Sequence, residues 1–356
     1  MHAAAVQRRI MDSFETSAPD PEPYQLSLYT IPCNVYKVPD PGQEPTESWF
    51  FDLVLVEESG LPATPVSLML DLYSGEEHVK RTHFSPLAFP AIQDVRHKPG
   101  EDDGPASTRH HANLDELFDL RLKFSEQMSL NVDLVVLELE LELPDGSRDV
   151  ESLEVPVSRY EQQVELIFPL KTPCVILRGQ VNNGGHSEWS TQFAFDVVGL
   201  DEHYAMLRGV EKSNQNFVGW GQEIVAPADG VVTYARNDVP DQPGTHAVDE
   251  NTFRDLPEPV WASMGNTVVI DHGTGEYSVL CHMQQGSVQV GTGDRVARGQ
   301  VIGRLGNSGN SFGPHLHYHL QAGEVIFGCD PLPVRFVNIG GAAISQGTYI
   351  TPESEA

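Results

Sequence analysis

Between Tyr24 and Leu170, apolar and polar positions alternate in short runs broken by Gly, Pro, Asn and Asp. The clearest run is LELELEL, where Leu137, Leu139, Leu141 and Leu143 fall on one side of a period-two repeat and Glu138, Glu140 and Glu142 on the other. A helix would scatter those leucines round its circumference, whereas a strand gathers them on one buried face. Pro144-Asp145-Gly146 then reads as a turn and Val150–Val157 as the returning hairpin strand. SWFFDLVLV (Ser48–Val56) and VSLMLDLY (Val66–Tyr73) read as two more apolar strands joined by a Gly/Pro turn. Such density of short strands predicts a β-sandwich, immunoglobulin-like in its spacing. From Pro173 onward the pattern changes to Gly-punctuated strands with clustered histidines. The expected organisation is therefore all-β: a flexible N-terminus over 1–23, a β-sandwich of unassigned role over 24–172, a second β domain over 173–340 and a C-terminal tail over 341–356.

Composition narrows the function classes. Apolar residues make up 40% of the 356, enough for packed cores. Asp and Glu number 51 against 22 Lys and Arg, a formal charge of −29. Such a surface repels phosphate backbones and anionic lipid, which argues against nucleic-acid and membrane-surface binding. No apolar run approaches the roughly 20 residues of a membrane span. The first twenty residues carry basic side chains with no apolar stretch after them, so no signal peptide is expected there. That leaves the compartment open between the cytoplasm and, after removal of a leader, the periplasm or exterior. Cys33, Cys174, Cys281 and Cys329 lie far apart and form no C-x-x-C pair, so they are expected to be buried small hydrophobes. His110-His111, in the polar loop 96–113, are expected to be solvated rather than metal-binding.

Candidate chemistry gathers in the second half. In GNSGNSFGPHLHYHL (Gly306–Leu320) a Gly/Ser/Asn loop ends at Pro314 and a strand follows. His315 and His317, two apart, leave the same face of that strand, a common way to present imidazole to zinc. Upstream, His186 lies in a polar loop. Asp196 follows Phe193-Ala194-Phe195, where an ionised carboxylate is costly unless paired or metal-bound. With His317 these make two histidines and one carboxylate, a set that leaves zinc an open fourth position. In GNTVVIDHGTGEYSVLCHM, His272 sits at a turn, where a structural or solvated role is expected, and His282 ends a strand.

Taken together, GQEIVAPADGVV (Gly221–Val232), the His272-containing segment, Gly286–Leu320 and the earlier His…Phe-Ala-Phe-Asp resemble the lysostaphin/LytM-type zinc endopeptidases in order and spacing, over roughly 173–338. The resemblance implies a small, twisted antiparallel β-sheet domain holding one Zn2+ per chain. It places the metal ligands on His186, Asp196 and His317 and the two non-ligand catalytic histidines on His282 and His315. It implies a peptidoglycan or other peptide substrate, with cleavage of cross-links or stem peptides by metal-activated water. No HExxH helix is present, so base, oxyanion and acid roles fall to His282 and His315. Three features depart from the family pattern. Nine residues separate His186 from Asp196 where the shortest members have three, which keeps His203 as a fallback first ligand. An insertion, Arg236–Met264, interrupts the early strands and contains His246. His319 stands where histidine is unusual, with packing or contact at the groove edge as its expected roles. The glycine loops Gly184-Gly185 and Gly306–Gly313 are expected to wall a narrow groove for a slender Gly- or D-Ala-containing peptide. Two other readings remain: a non-hydrolytic LytM-like module that regulates a partner, and a zinc peptidase of glycine-rich proteins. Oligomeric state is left open.

Overall fold

The computed structural model of the chain describes residues 26–39, 46–57, 64–85, 120–128, 131–143, 145–180, 186, 189–245, 247–326 and 328–353. The expectations for 1–23, the loop 96–113 with His110-His111, Gly184-Gly185 and His246 lie outside these residues. The fold is nearly all β and divides into two units, Met1–Tyr160 and Glu161–Ala356.

The first unit contains β1 (Leu26–Ile31), β2 (Val35–Tyr36), β3 (Val38–Pro39), β4 (Glu47–Glu57), β5 (Thr64–Ser74), β6 (Glu77–Phe84), β7 (Leu120–Met128), β8 (Leu134–Glu142) and β9 (Arg148–Ser158). β4 pairs with β1, β3 and β7 in one sheet, while β2-β9-β8-β5-β6 form another. β4 and β5, consecutive in the chain, thus belong to different sheets and are not a hairpin. Alternation tells which side chains are buried but not which strand lies alongside. Leu137, Leu139 and Leu141 on β8 are fully buried and share one hydrophobic cluster with Trp49, Phe51 and Leu53 of β4 and Leu68, Leu70 and Leu72 of β5. β8 and β9 form the antiparallel pair foreseen round Gly146, whose φ of 81° demands glycine. None of the four cysteines is in a disulfide; Cys33 is only half-buried, the others buried.

The second unit contains β10 (Cys174–Arg178), β11 (Phe195–Gly199), β12 (Glu223–Val225), β13 (Gly230–Ala235), β14 (Asn266–Asp271), β15 (Tyr277–Met283), β16 (Arg295–Val296), β17 (Val301–Arg304), β18 (Leu316–Gln321), β19 (Pro331–Leu332) and β20 (Tyr349–Ile350). Its main sheet runs β16-β13-β14-β15-β18-β11-β10-β20, with β19 also on β18, and β12 pairs separately with β17. β14 is buried in mid-sheet over Asn266–Ile270, so its Val268-Val269-Ile270 are apolar on both faces.

Two expected boundaries move. Residues 161–170 belong to the second unit rather than the first. Ile167 N donates to Pro227 O, Val337 N to Leu166 O and Val225 N to Pro169 O. The buried carboxylate of Glu276 accepts the N–H groups of Gln163 and Val164, both at 2.7 Å. Phe168 stacks on Phe195 and meets Phe336 edge-on. An apolar run such as VELIF can serve either core, and its period does not say which. The stretch 341–356 is likewise no free tail over its described residues, because β20 pairs with β10 and Ile350 is buried. The insertion Arg236–Met264 carries the short helix α1 (Pro259–Ser263) and its own small cluster of Val239, Phe253 and Ala262.

Candidate active site

β18 lies between β15 and β11 at mid-sheet, with His317 opposite Asp196 on one side and Cys281 on the other. Its apolar residues, Leu316, Tyr318 and Leu320, alternate with His317, His319 and Gln321, and all six are buried. The strand period therefore builds a file of polar side chains on one face, continued by His315 just before the strand.

Asp196 Oδ1 is the point of convergence. His317 Nδ1 lies 3.0 Å from it, His186 Nε2 3.4 Å and His315 Nε2 3.6 Å. One donor atom from each of His186, Asp196 and His317 lies within 4.8 Å of the other two, the single such group among the described residues. Zinc bonds of about 2.0–2.2 Å in a tetrahedron put ligand atoms about 3.3–3.6 Å apart, so the set has a fitting scale. The charges also fit. Burial alone would push the Asp196 carboxyl up, yet the imidazoles of His315, His186 and His317 hold it well below the usual range. Burial depresses His317 to about 4, so its ring is neutral near pH 7. Two imidazoles and one carboxylate form a nitrogen–oxygen set suited to zinc.

His282 and His315 flank this group, their ring centroids 4.7 Å apart. His282 Nδ1 lies 2.8 Å from Ser308 O and His315 Nδ1 2.8 Å from Gly313 O. A main-chain carbonyl only accepts, so Nδ1 carries the hydrogen in both rings and the neutral ring has its lone pair at Nε2. Burial, reinforced by His315 and His317, pushes the His282 pKa well down. β15 aims this ring with a bulge: Cys281 and His282 together occupy the space opposite Thr267.

Two glycines of Gly306–Gly313 serve backbone packing. A Cβ on Gly306 would stand 2.2 Å from Gln284 N, and one on Gly309 would stand 2.4 Å from Gly265 N. Their smallness lets backbone pack on backbone, fixing the carbonyls that hold the two histidines. The insertion, together with Asn214, braces the same loop. Gln242 Nε2 donates to Gly309 O, Asn307 N to the Asp241 carboxylate, and the Asn307 amide to Asn214 Oδ1. No motif marks these braces, and sequence reasoning missed them.

Other histidines lie apart. His203 is exposed, pairs with Glu202 and stands outside the donor group. His272 is structural, its ring held between Asp229 O and Ser278 Oγ. His319, one of the possible groove-edge contacts, is instead 1% exposed behind His317. Arg178, unremarked in the sequence, brings Nε within 3.7 Å of Asp196 Oδ2 from β10.

The model of Peptidase family M23 matches residues 213–327, a stretch that includes His282, His315 and His317 but begins after His186 and Asp196. Two curated proteins of Vibrio cholerae, peptidoglycan DD-endopeptidases ShyA and ShyC, are 46% identical to this chain over 56 and 54 residues. Those alignments span 16% and 15% of this chain but only 13% and 12% of the relatives. Among solved structures, the catalytic domain of the prophage-encoded M23 protein EnpA from Enterococcus faecalis aligns at 19% identity and TM-score 0.31, covering 47% of this chain and 95% of that one. The catalytic domain of lysostaphin from Staphylococcus simulans aligns at 17% identity and TM-score 0.24, covering 44% and 84%. Within the C-terminal unit, residues 213–327 are a Peptidase family M23 domain.

Proposed function

We infer that the unit Glu161–Ala356 is a zinc-dependent endopeptidase acting on the peptide part of bacterial peptidoglycan. The observation that carries this reading is the convergence of His186 Nε2 and His317 Nδ1 on Asp196 Oδ1, beside two histidines tied down at Nδ1. His186, Asp196 and His317 would hold one metal ion. A bound zinc supplies Lewis acidity, which acidifies water and polarises a peptide carbonyl.

The remaining steps belong to side chains of the chain. With Nδ1 donating to a carbonyl, His282 and His315 each offer Nε2 as an acceptor. One takes the proton released as water adds to the peptide carbon and later delivers it to the departing amine nitrogen as the C–N bond breaks. The other faces the negative charge that grows on the carbonyl oxygen as an imidazolium, donating from a protonated Nε2 while Nδ1 stays on its carbonyl. The depressed pKa of His282 keeps its Nε2 free of a proton near neutral pH, as a base requires. This pair fills the place that a HExxH glutamate would otherwise take. The substrate class is supported by the two relatives, which are peptidoglycan DD-endopeptidases.

The test is digestion of purified peptidoglycan by the full chain, read as new amino termini, with and without a chelator. Release that a chelator stops and zinc restores is the expected result. A zinc-loaded chain that binds peptidoglycan without releasing amino termini would instead be a binding module. Cleavage of glycine-rich protein alone would overturn the substrate class.

A further inference from the structure

Behind His317 the polar file continues inward. His317 Nε2 lies 3.1 Å from His319 Nδ1, His319 Nε2 3.0 Å from Gln321 Oε1, and Gln321 Nε2 2.7 Å from Gly323 O. His317, His319 and Gln321 are 3%, 1% and 1% exposed, so water does not compete for these contacts. We propose that His319 and Gln321 are positioning residues that lock His317 in the tautomer with hydrogen on Nε2 and a bare Nδ1 aimed at the metal position. The proposal rests on the zinc reading above and adds to it what sets the ligand nitrogen.

Hydrogen-bond polarity along the file is set from its far end. Gly323 O can only accept, so the Gln321 amide nitrogen must face it and donate. Gln321 Oε1 then points at His319 and can only accept, so His319 Nε2 carries the hydrogen. In the neutral ring this leaves His319 Nδ1 as an acceptor. His317 Nε2 must therefore donate to it, which in the neutral ring leaves Nδ1 without hydrogen. Every link is fixed by one backbone carbonyl.

With a metal ion against His317 Nδ1 and Asp196 Oδ1, the alternatives each fail at a contact that the metal does not relieve. Hydrogen on His317 Nδ1 would turn Nε2 into an acceptor. His319 would then have to donate from Nδ1, leaving its bare Nε2 against Gln321 Oε1, acceptor against acceptor at 3.0 Å. Flipping the Gln321 amide moves the same conflict to Gly323 O at 2.7 Å. Protonating His319 at both nitrogens would satisfy the geometry only by burying a cation between an imidazole and an amide, which is costly. A buried acceptor pair left unsatisfied is costly too.

The favoured polarity has a consequence at the other end. His317 Nδ1 and Asp196 Oδ1 become two acceptors facing each other at 3.0 Å. That contact is repulsive unless a cation lies against both, and a metal ion held by Asp196 and His317 would supply it. Outer partners of this kind typically change metal affinity by 10–100-fold when removed.

The test uses the full chain. Zinc affinity is measured by chelator competition, and the His317 ring is observed by 15N NMR correlation of its nitrogens with the ring hydrogens. In the zinc-bound wild type, the expected pattern has hydrogen on Nε2 and none on Nδ1. His319→Leu should weaken zinc binding by 10–100-fold, Gln321→Leu should weaken it in the same direction, and His319→Gln should recover most of the loss. Glutamine passes the same polarity, accepting at Oε1 and donating at Nε2, so a role in packing alone would not predict this rescue. Zinc affinity unchanged in a folded His319→Leu, or hydrogen on Nδ1 of the zinc-bound wild type, would overturn the relay while leaving the zinc reading intact. If His319→Leu does not fold, the wild-type ring pattern still decides. A wild type that binds no zinc would instead remove the reading on which the proposal stands.

Discussion

His282 sits at φ 59°, a left-handed conformation that costs a non-glycine residue about 1–3 kcal/mol. The strain is held by Met264 O, which accepts its N–H, and by Ser308 O, which accepts its ring hydrogen. A conformation this costly, next to a donor group and inside a bulge, is what a residue aimed for chemistry looks like. Its role differs from that of the ligands. His282→Ala and His315→Ala should keep zinc and fold yet lose activity on the order of 10²-fold or more. Full turnover in either would remove that residue from the chemistry, and loss of zinc in His315→Ala would make it a ligand. At this scale much was legible. The two-residue spacing of His315 and His317 and a carboxylate in an apolar run are properties of the chain itself. The role of His319 was not, because polarity in a hydrogen-bonded file depends on Gly323 O and on which atoms face each other.

At the scale of elements, the glycine loop and the insertion lock each other. Gly265 and Gly309, at φ 71° and 75°, pack so closely that neither tolerates a Cβ. Asn310 N reaches Ser263 O at the same crossing. Gly309→Ala should therefore destabilise the second unit by about 2–4 kcal/mol and displace Ser308 O, lowering activity together with the melting temperature. An alanine variant with wild-type stability would show that the crossing is loose. Single strands and the β8–β9 hairpin were readable, since alternation and turn residues are local. Partner choice was not. β4 and β5 look like a hairpin in the chain yet lie in separate sheets, and the insertion gave no sign that Gln242 reaches Gly309 O.

For the whole molecule, the revised boundary makes a sharp comparison. A fragment 161–356 should fold and bind zinc alone, since a domain carries its own core. A fragment 172–356 lacks the buried Leu166, Ile167, Phe168 and Leu170, and with them the stack on Phe195. Its melting temperature should be markedly lower, and equal stability of the two would put the boundary back near 172. Charge acts on the chain as a whole. With 51 acidic and 22 basic residues, self-repulsion is screened beyond about 10 Å at 0.1 M salt. The full chain should melt at higher temperature as NaCl rises from low to molar concentration, and a flat or falling trend would contradict this. Both charge balance and the all-β class could be read from composition and period; the position of residues 161–170 could not, because an apolar run fits either core.

The most direct test of the central claim is metal stoichiometry after exhaustive dialysis, in the full chain and in Asp196→Ala, His317→Ala and His186→Ala. The account predicts one zinc per wild-type chain, well below one in each variant, with circular dichroism unchanged. Wild-type zinc in both Asp196→Ala and His317→Ala would contradict it.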